Sequence, residues 1–450
     1  MKRWLQVLAL SIGLSSATAR AESERWLATD DARDCAVLAD GRIVAATAGG
    51  LLSVDARGRP SVLTALDGLP DTHVERLRVS ATHVELETRK GRARLSLRDG
   101  SFALLSGVSV ARPSEPSAAR ELPSGVMARA THERAGSRCY ATDHGLFVGR
   151  LGALPKRIEL PALPSGDISA LASGRERVFV GSFDQGLWLL GAGRVERVAG
   201  INPNINALVW DEARGALWAG TARGLWRCTL ASETLACRRA GQPHAVHALL
   251  GLRGGALAVG TEQGLTLLDG ERERVLGAKQ GAPFRAVWAL AESASGELFV
   301  GTTSGLYWAK TSALLQPERP LLERASLVSG ELPDDWVTAI HARGDELYVG
   351  TYNAGVVGFR RGTSGLLALG TDASLGYVNA GGIGSFADGR LWVATMDGLR
   401  IGTLGSFATL PTLGRDVTAV VEAHASGEHW IATRRGLERR RIEPVTITSR

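Results

Sequence analysis

Several acidic, amide and aromatic residues stand in predicted turns, where their side chains are available to a ligand rather than to a core. Asp334-Asp335 precedes Trp336, and Phe183-Asp184 and Tyr352-Asn353 lie in turns that are one residue longer than their counterparts elsewhere in the chain. Carboxylates and amides bind hydroxyl groups, and aromatic rings pack on apolar faces. We therefore expect a binding surface made of loop residues, with these members: Asp334, Asp335, Trp336, Tyr352, Asn353, Phe183, Asp184, His73, Asn204, Arg285 and Tyr377.

The chain carries no local signature of a catalytic or metal site. G-x-S-x-G, H-E-x-x-H and phosphate-loop patterns are missing from the sequence. We expect no catalytic residues, no bound metal and no cofactor. One alternative stays open, because acids from separate loops can converge without a local motif and hold a divalent cation. Its members are Asp71, Asp184, Asp334, Asp335, Asp397 and Asp416.

A short phrase recurs ten times and positions these loops: a hydrophobic run, Thr, two variable residues, Gly and usually Leu. Clear copies are Ala216–Leu225 (ALWAGTARGL), Glu297–Leu306 (ELFVGTTSGL) and Arg390–Leu399 (RLWVATMDGL). The copies recur about every forty residues, and each divides into four short runs of alternating apolar and polar residues. A period of this length is typical of one four-stranded blade of a β-propeller.

The parts of the phrase have separable physical roles. The glycine supplies the positive φ of a tight turn, and the Thr hydroxyl can bond to the turn backbone. Three residues before the Thr (or its Ser equivalent) stands an aromatic ring in many copies, among them Phe179, Trp218 and Phe299. A ring that recurs once per repeat is a packing residue that fills the wedge between neighbouring blades.

The predicted fold is all-β, a single β-propeller of four-stranded blades over residues 22–450, with about ten blades (8–10). Two segments are candidates for the strand that closes the ring: Glu24–Thr29 and Pro444–Thr448. We favour the N-terminal one.

Residues 1–21 have the features of a cleavable signal peptide, with Lys2 and Arg3 before an apolar run and Ala19-Arg20-Ala21 as a cleavage site. The sequence predicts a periplasmic or secreted monomer without a membrane span. A net charge of +6, spread among the repeats, does not favour a nucleic-acid partner.

Four cysteines are few for an exported chain of 450 residues. Cys228 and Cys237 flank a predicted hairpin turn, so we expect them to form a disulfide. Cys139 replaces the recurring aromatic ring, which predicts a buried free thiol, and Cys35 has no evident partner.

The segments Asp67–Pro70 (DGLP) leading to Val74 and Gly330–Pro333 (GELP) leading to Val337, followed by the L-W-x-G-T-x-x-G-L phrase, resemble the two-component regulator propeller repeats. Such repeats form periplasmic sensor regions of bacterial hybrid histidine kinases and also stand-alone exported proteins. The resemblance covers nearly the whole chain after residue 21 and implies a propeller used for binding. This chain has no kinase segment and no sandwich domain after its repeats.

These observations predict a non-enzymatic exported propeller that acts as a ligand-binding, protein-binding or scaffold module. A sensor-like role is one form that this function could take. A protein or a glycan would be its partner. The alternative is a propeller lyase or hydrolase that acts on a polysaccharide or a lactone-like substrate.

Overall fold

The computed structural model describes residues 24–105, 121–160, 162–163, 165–174, 177–191, 194–231, 234–270, 272–278, 282–283, 286–318, 320–363, 365–423 and 427–442. The predicted signal peptide, the C-terminal segment Pro444–Thr448 and the candidate Arg285 lie outside these ranges. None of the helices in the described part is long and apolar enough to cross a membrane.

Ten four-stranded antiparallel sheets make up the described chain, as the repeats predict. We number them blade 1 to blade 10 in chain order. The first three blades contain β2 (Ala32–Val37), β3 (Ile43–Thr47), β4 (Gly50–Val54) and β5 (Pro60–Leu63); β6 (Val74–Val79), β7 (His83–Thr88), β8 (Gly91–Ser96) and β9 (Phe102–Leu105); and β10 (Ala128–Arg134), β11 (Ser137–Thr142), β12 (Gly145–Arg150) and β13 (Lys156–Arg157).

The next four blades follow the same plan. Their strands are β14 (Ile168–Gly174), β15 (Arg177–Ser182), β16 (Leu187–Gly191) and β17 (Arg194–Arg197); β18 (Ile205–Asp211), β19 (Ala216–Thr221), β20 (Gly224–Ala231) and β21 (Thr234–Ala240); β22 (Val246–Gly251), β23 (Leu257–Thr261), β24 (Gly264–Asp269) and β25 (Arg272–Leu276); and β26 (Val287–Glu292), β27 (Glu297–Thr302), β28 (Gly305–Lys310) and β29 (Glu323–Ala325).

The last three blades contain β30 (Val337–Arg343), β31 (Glu346–Thr351), β32 (Val356–Gly362) and β33 (Gly365–Asp372); β34 (Val378–Ser385), β35 (Leu391–Thr395), β36 (Gly398–Thr403) and β37 (Ser406–Leu410); and β38 (Val417–Ala423), β39 (Glu428–Thr433) and β40 (Gly436–Arg441). A short helix α1 (Thr311–Leu315) and 3-10 turns at Ala65–Asp67 and Ala373–Leu375 connect strands. The fourth strand of blade 10 is β1 (Glu24–Trp26), which pairs with β40. The N-terminal closing strand is thus confirmed.

The local chemistry of the repeated phrase is as predicted. In blade 7 the Thr302 Oγ1 donates to the Gly305 carbonyl at 2.8 Å and accepts from the Ser304 N–H at 3.0 Å. Gly305 has a φ of 111°, and a Cβ there would lie 2.6 Å from the Ala325 carbonyl oxygen. The turn therefore needs a glycine for both its conformation and its close contact.

The blades do not form one ring of ten, which corrects that part of the prediction. Blades 4 to 10 close a ring of seven, because β14 of blade 4 packs against β18 of blade 5 on one side and β38 of blade 10 on the other. Trp430 of blade 10 shares a core cluster with Val180 of blade 4. The ring is therefore complete without blades 1 to 3.

Blades 1 to 3 form a separate three-bladed arc in the spatial order 3, 1, 2. One core cluster joins blades 3 and 1, and another joins blades 1 and 2. Cys35 of blade 1 and Cys139 of blade 3 form a disulfide across the first of these interfaces. Our expectation of a free thiol at Cys139 was wrong, because the position of the recurring ring faces the neighbouring blade and Cys35 lies opposite. The predicted Cys228–Cys237 disulfide is present.

The two end faces of the arc, which have no neighbouring blade, are polar in one case and covered by a loop in the other. The free face of blade 2 carries ion pairs, including Arg94 to Glu85 at 2.7 Å and Arg92 to Glu85 at 3.3 Å. On the free face of blade 3, Tyr140 and Phe147 are buried beneath Leu122 and Val126. Polar or covered end faces are what a short stack of repeats needs to stay soluble.

The arc is attached to the ring by buried polar contacts. The Arg435 guanidinium of blade 10 contacts the Asp71 carboxylate at 2.8 Å, and the Thr72 Oγ1 donates to the Leu413 carbonyl at 2.7 Å. Both Asp71 and Thr72 lie in the loop that leads into blade 2 and are buried. We call this region the joint.

Candidate functional site

Each innermost strand of the ring begins with a buried Val or Ile, after which the register breaks; the break skips one residue in six blades and four residues, beginning with Asn379, in blade 9. The break falls, for example, between Val246 and Ala248 in blade 6 and between Val287 and Ala289 in blade 7. A β-bulge re-aims the extra side chain. The residues at this position in blades 4 to 10 are Ser169, Asn206, His247, Trp288, Thr338, Asn379 and Thr418.

A central cavity of about 220 Å³ is lined by residues from all seven innermost strands. Ser169, Asn206, His247, Trp288 and Thr418 are among them. Because the bulges lie at the end of the strands where the Thr-x-x-Gly turns are, these side chains surround one entrance. We call this entrance, with the turns around it, the mouth.

Three bulged residues, Asn206, Asn379 and Thr418, each donate a side-chain hydrogen bond to the first backbone carbonyl of the neighbouring innermost strand. The Asn206 Nδ2 donates to the Val246 carbonyl at 2.9 Å, and the Asn379 Nδ2 donates to the Val417 carbonyl at 2.6 Å. The side chains of Ser169 and Trp288 differ from these. Within the described ranges, the Ser169 Oγ and the Trp288 Nε1 are buried without a hydrogen-bond partner. The mouth therefore contains two amides that already bond to a neighbouring blade and two groups, Ser169 Oγ and Trp288 Nε1, that can still donate a hydrogen bond to a ligand.

One half of the mouth is a continuous aromatic series. The His247 and Trp288 rings stack with centroids 4.1 Å apart, and Trp288 meets Trp336 edge-on at 5.6 Å. Trp336 stacks on Tyr352 at 4.3 Å, with an angle of 7° between the planes. Tyr352 meets Tyr377 edge-on at 4.9 Å. Five rings from blades 6 to 9 thus form one curved apolar surface.

The other half of the mouth is charged and centred on Arg434. Its Nε contacts the Asp416 carboxylate at 2.7 Å, and its Nη1 contacts Asp167 at 3.1 Å. The guanidinium also lies 4.3 Å from the centroid of the Phe183 ring. The Asn204 amide donates to the Phe183 carbonyl. Arg434 therefore links the turns of blades 10 and 4 and presents a cation beside two carboxylates.

The electrostatics of the mouth follow from burial. Burial lowers the pKa of His247, so this imidazole is neutral at pH 7 and stacks as an uncharged ring. Burial also raises the pKa of the Tyr377 hydroxyl, assisted by Tyr352 and Asp416 and opposed by Arg434. The pKa of Asp167 is raised by burial and by Asp184, against the effect of Arg434.

The structure brings five of the predicted binding residues to the mouth. They are Phe183, Asn204, Trp336, Tyr352 and Tyr377. Tyr352 is 38% exposed, the most accessible ring of the series, while Trp336 and Tyr377 are half-buried. Asp184 lies in the same turn as Phe183 and is exposed.

Asp334, Asp335 and Asn353 support the site through the backbone. The Asp334 carboxylate accepts from the Trp336 N–H at 3.0 Å and from the Asn353 N–H at 2.9 Å. Asp335 accepts from the Leu327 N–H at 2.7 Å. Asp334 therefore fixes the loop that carries Trp336 against the turn that carries Tyr352.

His73 lies away from the mouth, at the joint, where it is 5% exposed. Its backbone N–H donates to Asp71, and Asp71 also binds Arg435. Among the acids considered for a cation, Asp397 and Asp416 pair with arginines, and Asp334 and Asp335 accept from backbone N–H groups. In the part of the chain that the structure describes, no three His, Cys, Asp or Glu residues are grouped as metal ligands would be.

Sequence reasoning missed the bulged residues and the central role of Arg434. A signal for the bulged position was present, because the residue after the first Val or Ile of each ring repeat is polar or aromatic: Ser169, Asn206, His247, Trp288, Thr338, Asn379 and Thr418. An alternating strand would place that side chain opposite its buried neighbour. Arg434 stands at a variable position of the turn, and its partners come from other blades.

No family model matches the sequence, and no curated protein matches it. Solved structures do. The chain is similar to PorZ, described as a bacterial surface component of the type-IX secretion system of Porphyromonas gingivalis, with a TM-score of 0.54 and 15% identity over 91% of this chain and 68% of that one.

It is also similar to the extracellular domain of the putative hybrid two component system BT3049 from B. thetaiotaomicron, with a TM-score of 0.52 and 14% identity over 93% of this chain. The match spans 60% of the BT3049 chain, which is less than two thirds of its length. Extracellular domains of two-component system proteins are thus among its structural neighbours, in agreement with the resemblance drawn from the repeats. At this level of identity the comparison shows that the chain has the β-propeller fold.

Proposed function

We propose that this protein is an exported, non-enzymatic binding module of the sensor type, and that it takes a saccharide at the mouth. The observation that carries the proposal is the aromatic series from His247 to Tyr377, which faces the Arg434–Asp416–Asp167 cluster across the entrance. The neighbours described as extracellular or surface components support the exported, sensor-like part of the proposal.

A saccharide matches a mouth that is aromatic on one side and charged on the other. Its C–H face is apolar and packs on an aromatic ring, while its hydroxyl groups need donors and acceptors around the rim. Tyr352 offers an exposed ring, and Asp416, Arg434 and Asn379 offer polar groups within the same entrance. These groups already bind one another, which holds them in place before a ligand arrives and lowers the entropic cost of binding.

Isothermal titration calorimetry with a panel of neutral and uronic-acid oligosaccharides tests the proposal. We expect at least one oligosaccharide to bind, with the affinity reduced about tenfold or more in Trp336→Ala and Tyr352→Ala. His144→Ala, in the corresponding turn of the arc, is the matched control and should bind as the wild type does. Failure of the whole panel, or equal binding by all variants, would overturn the proposal.

The same samples distinguish a binding protein from an enzyme. The oligosaccharides are recovered after overnight incubation and their length and reducing ends are measured by chromatography. We expect them unchanged. Shortened or unsaturated products that disappear in the Tyr352→Ala variant would replace the non-enzymatic proposal with a lyase or hydrolase.

A further inference from the structure

The interface between blades 5 and 6 is the least filled of the ring. Its fully buried core consists of Leu225, Val246, Leu257 and Val259. The interface between blades 7 and 8 buries a larger set that includes aromatic rings such as Phe299 and Phe359. Trp218, which occupies the recurring ring position of blade 5, stays half-buried. Space is therefore left between these two blades.

That space is divided into two cavities. One of about 920 Å³ opens beside the turn residues His244 and Glu262, and the other, of about 750 Å³, opens towards the opposite face. Both volumes lie within the range of small-molecule sites. The second cavity, which we call the arginine cleft, is lined by Trp218, by three acids (Asp211, Glu212 and Glu273) and by five arginines: Arg214, Arg227, Arg238, Arg239 and Arg253.

Three of the lining residues form a ladder across blade 5. In register, Trp218 of β19 is opposite Arg227 of β20, and Arg227 is opposite Arg238 of β21. The Arg227 guanidinium lies 5.6 Å from the centroid of the Trp218 ring. Like charges directly opposite each other on neighbouring strands are destabilising. The Arg227–Arg238 pair therefore costs stability unless an anion is close.

No protein carboxylate supplies that anion in the described ranges. Arg214 has Asp211 at 2.9 Å, whereas neither Arg227 nor Arg238 has a carboxylate within ion-pair distance. The Arg227 Nε is moreover a buried donor without a hydrogen-bond partner in the described part of the chain. A buried donor of this kind is costly to leave unpaired.

The disulfide of blade 5 adjoins the arginine pair. Cys228 and Cys237 are the next opposed residues along β20 and β21 after Arg227 and Arg238. This covalent link holds the two strands in register against the repulsion of the guanidinium groups. The charge pair is therefore fixed in advance, which reduces the entropic cost of binding an anion between them.

We infer that the arginine cleft is a second binding site, separate from the mouth, for an oxyanion carried on a sugar-sized ring. Arg227 and Arg238 would bind the carboxylate or phosphate oxygens, since planar guanidinium groups match both groups geometrically. The half-buried Trp218 would contact the apolar face of the ring. This inference does not depend on the function proposed for the mouth.

Calorimetric titrations with glucuronate, glucose 6-phosphate, glucose and inorganic phosphate test the inference. We expect glucuronate or glucose 6-phosphate to bind, and more weakly as salt is raised, while glucose binds at least about tenfold more weakly. The stronger of the two identifies the oxyanion as carboxylate or phosphate. Inorganic phosphate equal in affinity to glucose 6-phosphate would overturn the role of Trp218.

Variants locate the site. Arg238→Gln, which is exposed and should leave folding intact, is expected to reduce the affinity about tenfold or more, as is Arg227→Gln. The matched control is Arg197→Gln, because Arg197 lies opposite Trp188 and 5.8 Å from its ring without a second opposed arginine. No binding by either charged sugar, or an equal loss in Arg197→Gln, would refute the second site.

Discussion

The Thr418 Oγ1 donates a hydrogen bond to the Ile168 carbonyl at 2.9 Å, although 250 residues separate the two positions in sequence. Thr418 is the bulged residue of blade 10, and Ile168 begins the innermost strand of blade 4. This bond is the counterpart of the Asn206–Val246 bond between consecutive blades. It marks the place where the ring closes, between its first blade in sequence (blade 4) and its last (blade 10).

In blades 4 to 8 of the ring the residue before the motif Thr or Ser is glycine, and this position should tolerate no side chain there. A Cβ on Gly301 would lie 2.5 Å from the Val337 Cγ1 of the next blade and 3.0 Å from the Ala289 Cβ. We expect Gly301→Ala to lower the free energy of unfolding by about 1–3 kcal/mol through overpacking, measured by urea denaturation. Glu87→Ala is the control, since Glu87 holds the same position in blade 2, where no further blade packs. An equal loss in both variants would contradict this packing scheme.

The two disulfides should differ in their contribution to stability. Cys35–Cys139 spans 104 residues and joins two blades, while Cys228–Cys237 spans 9 residues within one hairpin. Loop-closure entropy predicts about 5 kcal/mol for the long loop and about 3 kcal/mol for the short one. We therefore expect Cys35→Ser/Cys139→Ser to release the arc to proteolysis first, as seen by mass spectrometry of timed trypsin digests. Earlier cleavage in Cys228→Ser/Cys237→Ser would be the opposite of this expectation.

Glu438 should make the protein less stable as the pH rises from about 4.5 to about 7. The side chain is completely buried in β40, and neither carboxylate oxygen has a hydrogen-bond partner in the described residues. Burial raises its pKa to about 7, although Arg440 and Arg25 oppose the shift. The folded state then holds a proton that the unfolded chain has lost, so the stability present below pH 4.5 declines through pH 7 by on the order of 3 kcal/mol.

Thermal melts of Glu438→Gln across this pH range check the effect. Relative to Glu438→Gln, both the wild type and the exposed Glu159→Gln variant should lose stability as the pH rises through this range. A difference in stability between the wild type and Glu438→Gln that stays constant from pH 4.5 to 7 would rule out this carboxyl as the source.

His73 should act in the opposite direction at acid pH. Burial at the joint, with Arg33, Arg89 and Arg435 nearby, lowers the pKa of its imidazole to about 3. Below pH 6.5 the unfolded chain binds a proton that the folded state does not. The free energy of unfolding therefore decreases as the pH is lowered, by about 2 kcal/mol at pH 5. We expect His73→Gln to lose this acid dependence in urea titrations at pH 5 and pH 7. An unchanged difference between the two pH values would exclude His73.

The sequence was sufficient for the sheets, the turns and the closing strand, because each depends on residues close together in the chain. Thr302 and Gly305 show this, since their contacts stay within one turn. The ring size depends on which blades touch, and that is decided by contacts such as Cys35–Cys139 and Trp430 with blade 4. Because these contacts join residues that are far apart in the chain, they produce no local sequence pattern from which the ring size could be predicted.

A signal for the end of the arc was nevertheless present at Glu87. In the other nine repeats the residue before the motif Thr or Ser is Gly or Ala, because the next blade packs on it: Ala46, Ala141, Gly181, Gly220, Gly260, Gly301, Gly350, Ala394 and Ala432. A glutamate there indicates that no blade follows. The mouth was harder to predict, since the aromatic series from His247 to Tyr377 draws one or two residues from each of four blades.

Ring closure between blades 10 and 4 creates the mouth, so the distance between these blades tests the account most directly. Spin labels on Arg434→Cys and Asp184→Cys, both exposed turn residues, report this distance by pulsed electron paramagnetic resonance. The control pair is Asp184→Cys with Arg223→Cys, on consecutive blades 4 and 5. We predict the same short distance for both pairs. A much longer distance for the Arg434 and Asp184 pair would show that blades 10 and 4 are not neighbours and would contradict the seven-bladed ring.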